Sequence, residues 1–265
     1  MLTSLQNPLV KQMRKLHRAK ERREQQLFLL EGTHLLEEAC AAGWSLITVC
    51  CTPGWQATHE ALWQQVSQQA QRAELVSEAV LAAMVTTVHP DGVVATASRG
   101  RLDTSRLNIQ DLQLGIALET LQDPGNLGTV IRSAAAAAAD GLWVSADSVD
   151  LDHPKVLRAS AGQWFRLPMT VSSNLIADVT QAATAGIQIV ATLPTASLTY
   201  WEVDFSRPTL ILLGNEGAGL SPALSAAADL AVRIPLAPGV ESLNVGIAAA
   251  LLLYEAQRQR GWGQN

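Results

Sequence analysis

Short apolar runs alternate along the chain with segments whose apolar residues recur at helical spacing. In the first hundred residues this alternation is typical of a small α/β domain. We predict strands at Leu27–Leu30, Leu46–Cys51, Glu74–Val76 and Gly92–Thr96, and helices at Thr33–Ala42, His59–Ala70 and Ser77–Met84.

The same alternation is stronger in the second half of the chain. Leu210–Leu213 is apolar at every position, which is typical of a parallel strand covered on both faces. The pattern therefore predicts an α/β fold whose parallel sheet carries helices on both faces. The predicted strands are Leu114–Leu118, Leu142–Ser145, Leu167–Val171, Ile187–Thr192, Leu210–Leu213 and Val232–Pro235, and the predicted helices are Leu127–Ala139, Pro154–Ala161, Leu175–Ala185 and Ser242–Arg260.

The segment 98–111 separates the two halves. It is rich in polar and turn-forming residues, which favours an interdomain linker. We therefore predict one domain at 1–97, a linker at 98–111 and a second domain at 112–265.

Positive charge is concentrated near the N-terminus. The formal net charge is −5, which alone argues against a nucleic-acid partner, but a predicted helix from Pro8 to Gln26 is strongly basic. Such a helix could neutralise RNA phosphates, and the alternative is a solvated surface helix. Its basic residues are Lys11, Arg14, Lys15, Arg18, Lys20, Arg22 and Arg23.

Cysteine and histidine usage bears on compartment and metals. The three cysteines are odd in number, and Cys50 and Cys51 are adjacent in an apolar run. This pattern predicts a reducing, cytoplasmic location rather than a disulfide framework. No apolar run reaches the ~20 residues that cross a bilayer. The scattered histidines have no metal-ligand spacing, so we expect no metal.

Three segments of the second domain place turn-forming and polar residues where ligands bind in open α/β sheets. The first runs from Asp123 through Asn126, a predicted helix N-cap, to Arg132. The second is Gly214-Asn215-Glu216-Gly217-Ala218-Gly219, directly after an apolar strand. The third joins Ile234-Pro235-Leu236 to Ser242-Leu243-Asn244, and ordinary N-capping would explain Ser242 better than Asn244. Neither a GxGxxG after the first strand of this domain nor a GxxxxGK[ST] is present, which disfavours a dinucleotide-binding site and a P-loop.

Together and in this order the three segments closely resemble the motifs of the SpoU (TrmH-like) family of knotted SPOUT methyltransferases. The resemblance covers Leu114 to Arg260. The stretch LTSLQNPLVKQMRKLHRAKERREQQLFLLEG is similar to the N-terminal substrate-binding domain of one branch, whose fold is like that of ribosomal RNA-binding proteins. The resemblance implies a deep trefoil knot, bound S-adenosylmethionine, a homodimer formed through the C-terminal domain and methylation of an RNA ribose 2′-hydroxyl. It favours rRNA over tRNA.

The resemblance also implies roles for individual residues. Arg132 is linked to catalysis, either as a base or as a cation that stabilises the developing alkoxide. Supporting catalytic residues would be Asn126, Glu216, Ser242 and Asn244. Residues bordering the cofactor would be Gly214, Asn215, Glu216, Gly217, Ile234, Leu236, Leu243 and Asn244.

Two other classes of function stay open at this point. One is a non-catalytic RNA-binding assembly factor with a dead methyltransferase fold, and the presence of Arg132, Asn126 and Asn244 argues against it. The other is a nicotinamide- or nucleotide-dependent enzyme, which the absent phosphate-binding glycine pattern disfavours.

Overall fold

The computed structural model describes residues 1–101 and 107–261. The chain forms two compact units, one holding Met1–Arg101 with Asp150–Phe165, the other Leu102–Val149 with Arg166–Asn265 as far as these are described. The sequence prediction placed Asp150–Phe165 with 112–265, whereas these residues pack with the first unit. Residues 102–106 of the predicted linker lie outside the described residues.

The first unit is built on a four-stranded sheet in the order β1-β4-β2-β3. Strands β2 and β3 are parallel, and β4 is antiparallel to both β1 and β2. The four predicted strands are confirmed with shifts of one or two residues at their ends. The strands are β1 Leu27–Glu31, β2 Leu46–Cys51, β3 Arg72–Leu75 and β4 Val93–Ser98.

Helices cover this sheet, and four of them, α3, α5, α6 and α8, coincide with predicted helices to within two residues at their ends. The short helix α4 was not predicted, because six residues are too few for a clear helical period. The helices are α1 Pro8–Lys15, α2 Ala19–Gln25, α3 Thr33–Ala41, α4 Pro53–Thr58, α5 Glu60–Gln69, α6 Glu78–Met84 and α8 Pro154–Ala159.

The basic segment is two helices, not the single predicted helix from Pro8 to Gln26. Helix α1 buries Leu9, Val10 and Met13 against the core, and the chain then breaks after Lys15. The Arg22 guanidinium donates to the carbonyl oxygens of Leu16 and His17 at 3.2 and 3.3 Å, so it satisfies groups that the break leaves free.

Arg22 also corrects the predicted RNA-binding set. Its side chain is 1% exposed and pairs with Asp150 at 2.8 Å and with Asp152 at 3.2 Å. A guanidinium held in this way cannot meet a phosphate without breaking the cluster. The other six predicted cations, Lys11, Arg14, Lys15, Arg18, Lys20 and Arg23, are exposed.

Replacing Arg22 tests this structural role. Arg22→Ala removes a buried cation from Asp152 and a donor from two carbonyls, so we expect a loss of about 3 kcal/mol or more in the free energy of unfolding, measured in urea. Lys20→Ala is the matched control because Lys20 is 82% exposed and pairs with Glu24 only at 3.6 Å; it should cost less than about 1 kcal/mol. Equal effects for both variants would contradict the assignment.

Four aromatic rings form part of the core of the first unit. Trp164 lies 5.2 Å from both Phe28 and Trp44 between ring centroids, and Phe165 lies 5.6 Å from Trp44. The Trp164 indole donates to the Leu151 carbonyl at 2.8 Å. Because these rings are buried, Trp164 and Phe165 contribute to the core and do not present surfaces on which RNA bases could stack.

The second unit is a seven-stranded sheet in which all pairings are parallel, ordered β7-β6-β5-β10-β8-β11-β9. The predicted parallel sheet is confirmed, and the two-residue strand β9 was not predicted. The strands are β5 Leu114–Leu118, β6 Gly141–Ser145, β7 Met169–Ser172, β8 Gln188–Thr192, β9 Leu198–Thr199, β10 Thr209–Leu213 and β11 Leu230–Arg233.

Helices lie on both faces of this sheet. Alternate residues such as Ile189 and Leu212 pack with α9 and α10, whereas α11 packs against α7 and β10 on the other side. The helices are α7 Pro124–Ala136, α9 Leu175–Thr184, α10 Pro222–Ala226 and α11 Val245–Gln259. No helix within the described residues is both long and apolar enough to cross a bilayer.

Candidate active site

Three loops of the second unit surround a cavity of about 440 Å³ at the carboxyl ends of its central strands. They follow β8, β10 and β11, and the loop after β11 leads into α11. We call this space the β10–β11 cavity. Its lining residues are Thr192, Leu193, Pro194, Leu213, Gly214, Asn215, Glu216, Gly217, Ala218, Gly219, Leu220, Ile234, Leu236, Glu241, Ser242, Leu243, Val245 and Ala248.

The turn after β10 is held by its own backbone and by Asn215. Asn215 and Gly219 exchange backbone hydrogen bonds of 3.0 and 2.9 Å. The Asn215 side-chain oxygen accepts from the amides of Gly217 and Ala218, both at 2.9 Å. A Cβ at Gly214 would lie 2.1 Å from the Gly219 carbonyl carbon, so this position requires glycine.

Glu216 links this turn to the loop that begins α7. Its carboxylate accepts from Asn126 Nδ2 at 3.0 Å and from the amides of Asp123 and Gln122 at 3.2 and 3.3 Å. Desolvation is the largest single influence on the Glu216 carboxyl and opposes ionisation. The hydrogen bonds from Asn126 and the backbone outweigh it, so the pKa is lowered and the group is anionic at neutral pH.

Asn126 and Asn244 join the first and third segments. Asn244 Nδ2 donates to Asn126 Oδ1 at 2.8 Å, while Asn126 Nδ2 donates to Glu216. The three sequence segments therefore meet in one hydrogen-bonded chain, Asn244–Asn126–Glu216. Asn244 is the first member of this chain, and it is not among the residues that line the cavity.

Both predicted N-caps are wrong by a few residues. Asp123 caps α7 and accepts from the Asn126 amide at 2.9 Å, directly before Pro124 at the first helical position. Asn244 caps α11 and accepts from Gly246 and Ile247 at 2.9 and 3.3 Å. These caps leave Ser242 exposed in the cavity lining and Asn126 free to bond Glu216 through its side chain.

The other predicted site residues have varied positions. Arg132 is exposed on α7, and its side chain makes no hydrogen bond or ion pair with any described residue, so it stands outside the Asn244–Asn126–Glu216 chain. Ile234 and Leu236 are half-buried in the cavity lining, and Leu243 lines it with 38% of its surface exposed.

The loop after β8 was missed by the sequence analysis. Thr192, Leu193 and Pro194 line the cavity at the carboxyl end of a strand that was itself predicted. That location is the signal that could have identified them, because ligands bind at this edge of parallel sheets. The Thr192 hydroxyl is buried and has no hydrogen-bond partner among the described residues.

The cavity has the chemistry expected of a site for a cationic nucleoside. Glu216 and Glu241 are its charged lining residues, and no cationic side chain lines it within the described part of the chain. A phosphate-bearing cofactor would meet no counter-charge here, whereas a sulfonium ligand suits an acidic lining. The unpartnered Thr192 hydroxyl offers such a ligand a hydrogen bond. No group of three His, Cys, Asp or Glu side chains in the described residues is placed to hold a metal ion.

The parallel sheet, the cavity and the three joined segments define an S-adenosylmethionine-dependent RNA methyltransferase. The chain belongs to the SpoU rRNA methylase family, whose model matches residues 113–254. Residues 7–95 match the MRM3-like substrate binding domain.

Named relatives and solved structures agree with this assignment. The chain is 48% identical to an uncharacterised tRNA/rRNA methyltransferase of Synechocystis over 98% of its own length and 94% of that protein. It is 33% identical to the 23S rRNA (guanosine(2553)-2′-O)-methyltransferase RlmP of Bacillus subtilis, with 96% and 97% covered. The AdoMet complex of the SpoU methyltransferase AviRb from Streptomyces viridochromogenes superposes with a TM-score of 0.86 at 31% identity, covering 96% and 98% of the two chains.

Proposed function

We propose that this chain methylates a ribose 2′-hydroxyl of ribosomal RNA. The observation that carries the proposal is the junction of Asn244, Asn126 and Glu216 beside a cavity without cationic lining in its described residues. Relatives named as 23S rRNA 2′-O-methyltransferases support the substrate, and tRNA is the second candidate because other relatives are named as tRNA/rRNA methyltransferases.

S-adenosylmethionine, when bound, supplies an electrophilic methyl group on a sulfonium. We propose that it occupies the β10–β11 cavity, where backbone amides and carbonyls of the turns would form hydrogen bonds with its adenine. The carboxylates of Glu216 and Glu241 would favour its positive charge. The residues that would border it are Gly214, Asn215, Glu216, Gly217, Ile234, Leu236 and Leu243, with Thr192 added by the structure.

Arg132 is proposed to stabilise the alkoxide that develops on the ribose. Arginine is a hydrogen-bond donor and not an acceptor, and this side chain is exposed and free of partners among the described residues. A cation in that state can turn to an incoming oxygen and stabilise its negative charge. Asn126 and Asn244 would position the α7 and α11 N-termini, and Ser242 would contact the ligand from the cavity lining.

The unit that contains residues 1–97 is proposed to bind the RNA, with a fold like that of ribosomal RNA-binding proteins. The six exposed cations of α1, α2 and their connection could neutralise phosphates, which predicts salt-dependent affinity. The free thiols of Cys40, Cys50 and Cys51 support a cytoplasmic location.

A trefoil knot and a homodimer complete the proposal. Strand β10 lies between β5 and β8, which precede it in the chain, and α11 then returns to α7; this crossing order suits a knot.

The apolar residues Ile247, Leu251 and Tyr254 on α11 are 51%, 37% and 49% exposed, a face that a second copy would cover. Sedimentation equilibrium should give twice the chain mass.

The decisive experiment uses the purified chain, labelled S-adenosylmethionine and separate unmodified rRNA and tRNA transcripts. Digestion and mass spectrometry should show a 2′-O-methylnucleoside in rRNA. Titration calorimetry should detect binding of S-adenosylhomocysteine and not of NAD. Methylation of a base, or transfer to tRNA alone, would overturn the respective part of the proposal.

A further inference from the structure

Thr120 has an unusual backbone conformation next to the β10–β11 cavity. It lies two residues after β5, and its φ is +53°. A β-branched residue rarely adopts this left-handed region, and such strain persists only where the surroundings impose it. Backbone strain of this kind clusters at functional sites.

Hydrogen bonds hold every polar group of Thr120. Its amide donates to Ser145 Oγ at 2.7 Å, and its hydroxyl donates to Asp147 Oδ2 at 2.7 Å. The Asp147 carboxylate also accepts from Ser145 Oγ. These hydrogen bonds lower the pKa of Asp147, and the one from Ser145 has the larger effect. The Asp147 carboxylate is therefore kept as an anionic acceptor.

The carbonyl of Thr120 reaches the turn that shapes the cavity. It accepts from Asn215 Nδ2 at 2.8 Å, and this bond fixes which way the Asn215 amide faces. With Nδ2 so engaged, Asn215 Oδ1 points to the amides of Gly217 and Ala218, which line the cavity. A Thr120 peptide with an ordinary negative φ would turn its carbonyl away and remove that restraint.

We infer that Thr120 is a positioning residue for the cofactor: its left-handed peptide, tethered by Asp147 and Ser145, orients Asn215 and thereby sets the turn at Gly217 and Ala218. None of these groups needs to touch the reacting atoms. The inference rests on the proposed binding of S-adenosylmethionine in the β10–β11 cavity.

The test separates the backbone conformation from the hydroxyl. Thr120→Val keeps the branched side chain but loses the tether to Asp147, so the strained φ is no longer favoured. Thr120→Gly also loses the hydroxyl but reaches positive φ without steric cost. For S-adenosylhomocysteine measured by calorimetry, we expect Thr120→Val to raise Kd by about tenfold or more, and we expect Kd of Thr120→Gly to stay within about threefold of the parental value.

Hydrogen–deuterium exchange supplies a second readout without turnover. Peptides covering residues 214–219 should exchange faster in Thr120→Val and at the parental rate in Thr120→Gly. If Thr120→Val does not fold, Thr120→Ala and Thr120→Ser replace it. We expect Thr120→Ala to weaken binding of S-adenosylhomocysteine and Thr120→Ser to preserve it.

Two controls make the same chemical changes away from the site. Thr180→Val removes an exposed hydroxyl that donates to Ile176 on α9, and Ala138→Gly relieves another positive φ, +49°, after α7. Both should leave Kd unchanged. Parental Kd in Thr120→Val, or equally weakened binding in Thr120→Val and Thr120→Gly, would overturn the inference. Failure of the parent itself to bind S-adenosylhomocysteine would instead overturn the proposed function.

Discussion

Arg132→Ala is expected to abolish methyl transfer while leaving cofactor binding intact. If Arg132 stabilises the developing alkoxide, its loss should lower kcat by about 10² to 10³ or more. The side chain makes no hydrogen bond or ion pair with described residues, so its removal should leave the fold and the β10–β11 cavity unchanged. Single-turnover methylation of rRNA measures the first effect, and titration of S-adenosylhomocysteine measures the second.

Arg207→Ala is a suitable matched control. Arg207 is likewise exposed on the second unit but precedes β10, at the amino end of the strand whose carboxyl end borders the cavity. Its loss should alter neither kcat nor Kd by more than about twofold, because a surface substitution outside the site is nearly neutral. Near-parental turnover in Arg132→Ala would remove Arg132 from the catalytic assignment.

Much of the site could be predicted because its chemistry is local in the sequence. Gly214, Glu216 and Asn126 stand in short polar segments at turns, and parallel strands bring such segments to one edge of a sheet. The exact capping residues could not be predicted in the same way. Asp, Asn and Ser are all good N-caps, and only the backbone decides that Asp123 and Asn244 serve, leaving Ser242 to the cavity.

Arg22 shows why charge alone is a poor guide to an RNA surface. In the sequence it is one of seven neighbouring cations, and its partners Asp150 and Asp152 lie more than a hundred positions away. The same long-range packing places Asp150–Phe165 in the first unit. Periodicity reports which residues are buried but not which distant segment buries them.

The left-handed backbone conformation of Thr120 is a further feature that the sequence does not indicate. Threonine does not favour positive φ, and nothing local indicates that Ser145 and Asp147 will hold it there. Gly214, in contrast, can be interpreted from the sequence alone, because a glycine directly after an apolar strand indicates a close approach of two backbone segments.

Gly214→Ala should therefore have the largest effect on the cavity itself. The added Cβ would lie 2.1 Å from the carbonyl carbon of Gly219 and 2.2 Å from its oxygen, and both are backbone atoms that cannot rotate aside. The paired turn must open or shift, which we expect to cost about 3 kcal/mol or more in unfolding free energy. Because Gly217 and Gly219 line the cavity, Kd for S-adenosylhomocysteine should rise by about a hundredfold or more.

Gly217→Ala in the same turn supplies the comparison. Its Cβ would meet nothing closer than Asn215 Oδ1 at 3.6 Å, which is ordinary contact, and its φ is not among the positive ones. Stability should change by less than about 0.5 kcal/mol, since no group must move. Thermal unfolding and calorimetry of both variants test this expectation. Parental affinity for S-adenosylhomocysteine in Gly214→Ala would show that the turn does not form the cofactor site. Equal loss of affinity in both variants would show that any added methyl group blocks the ligand directly, without opening the Asn215–Gly219 pair.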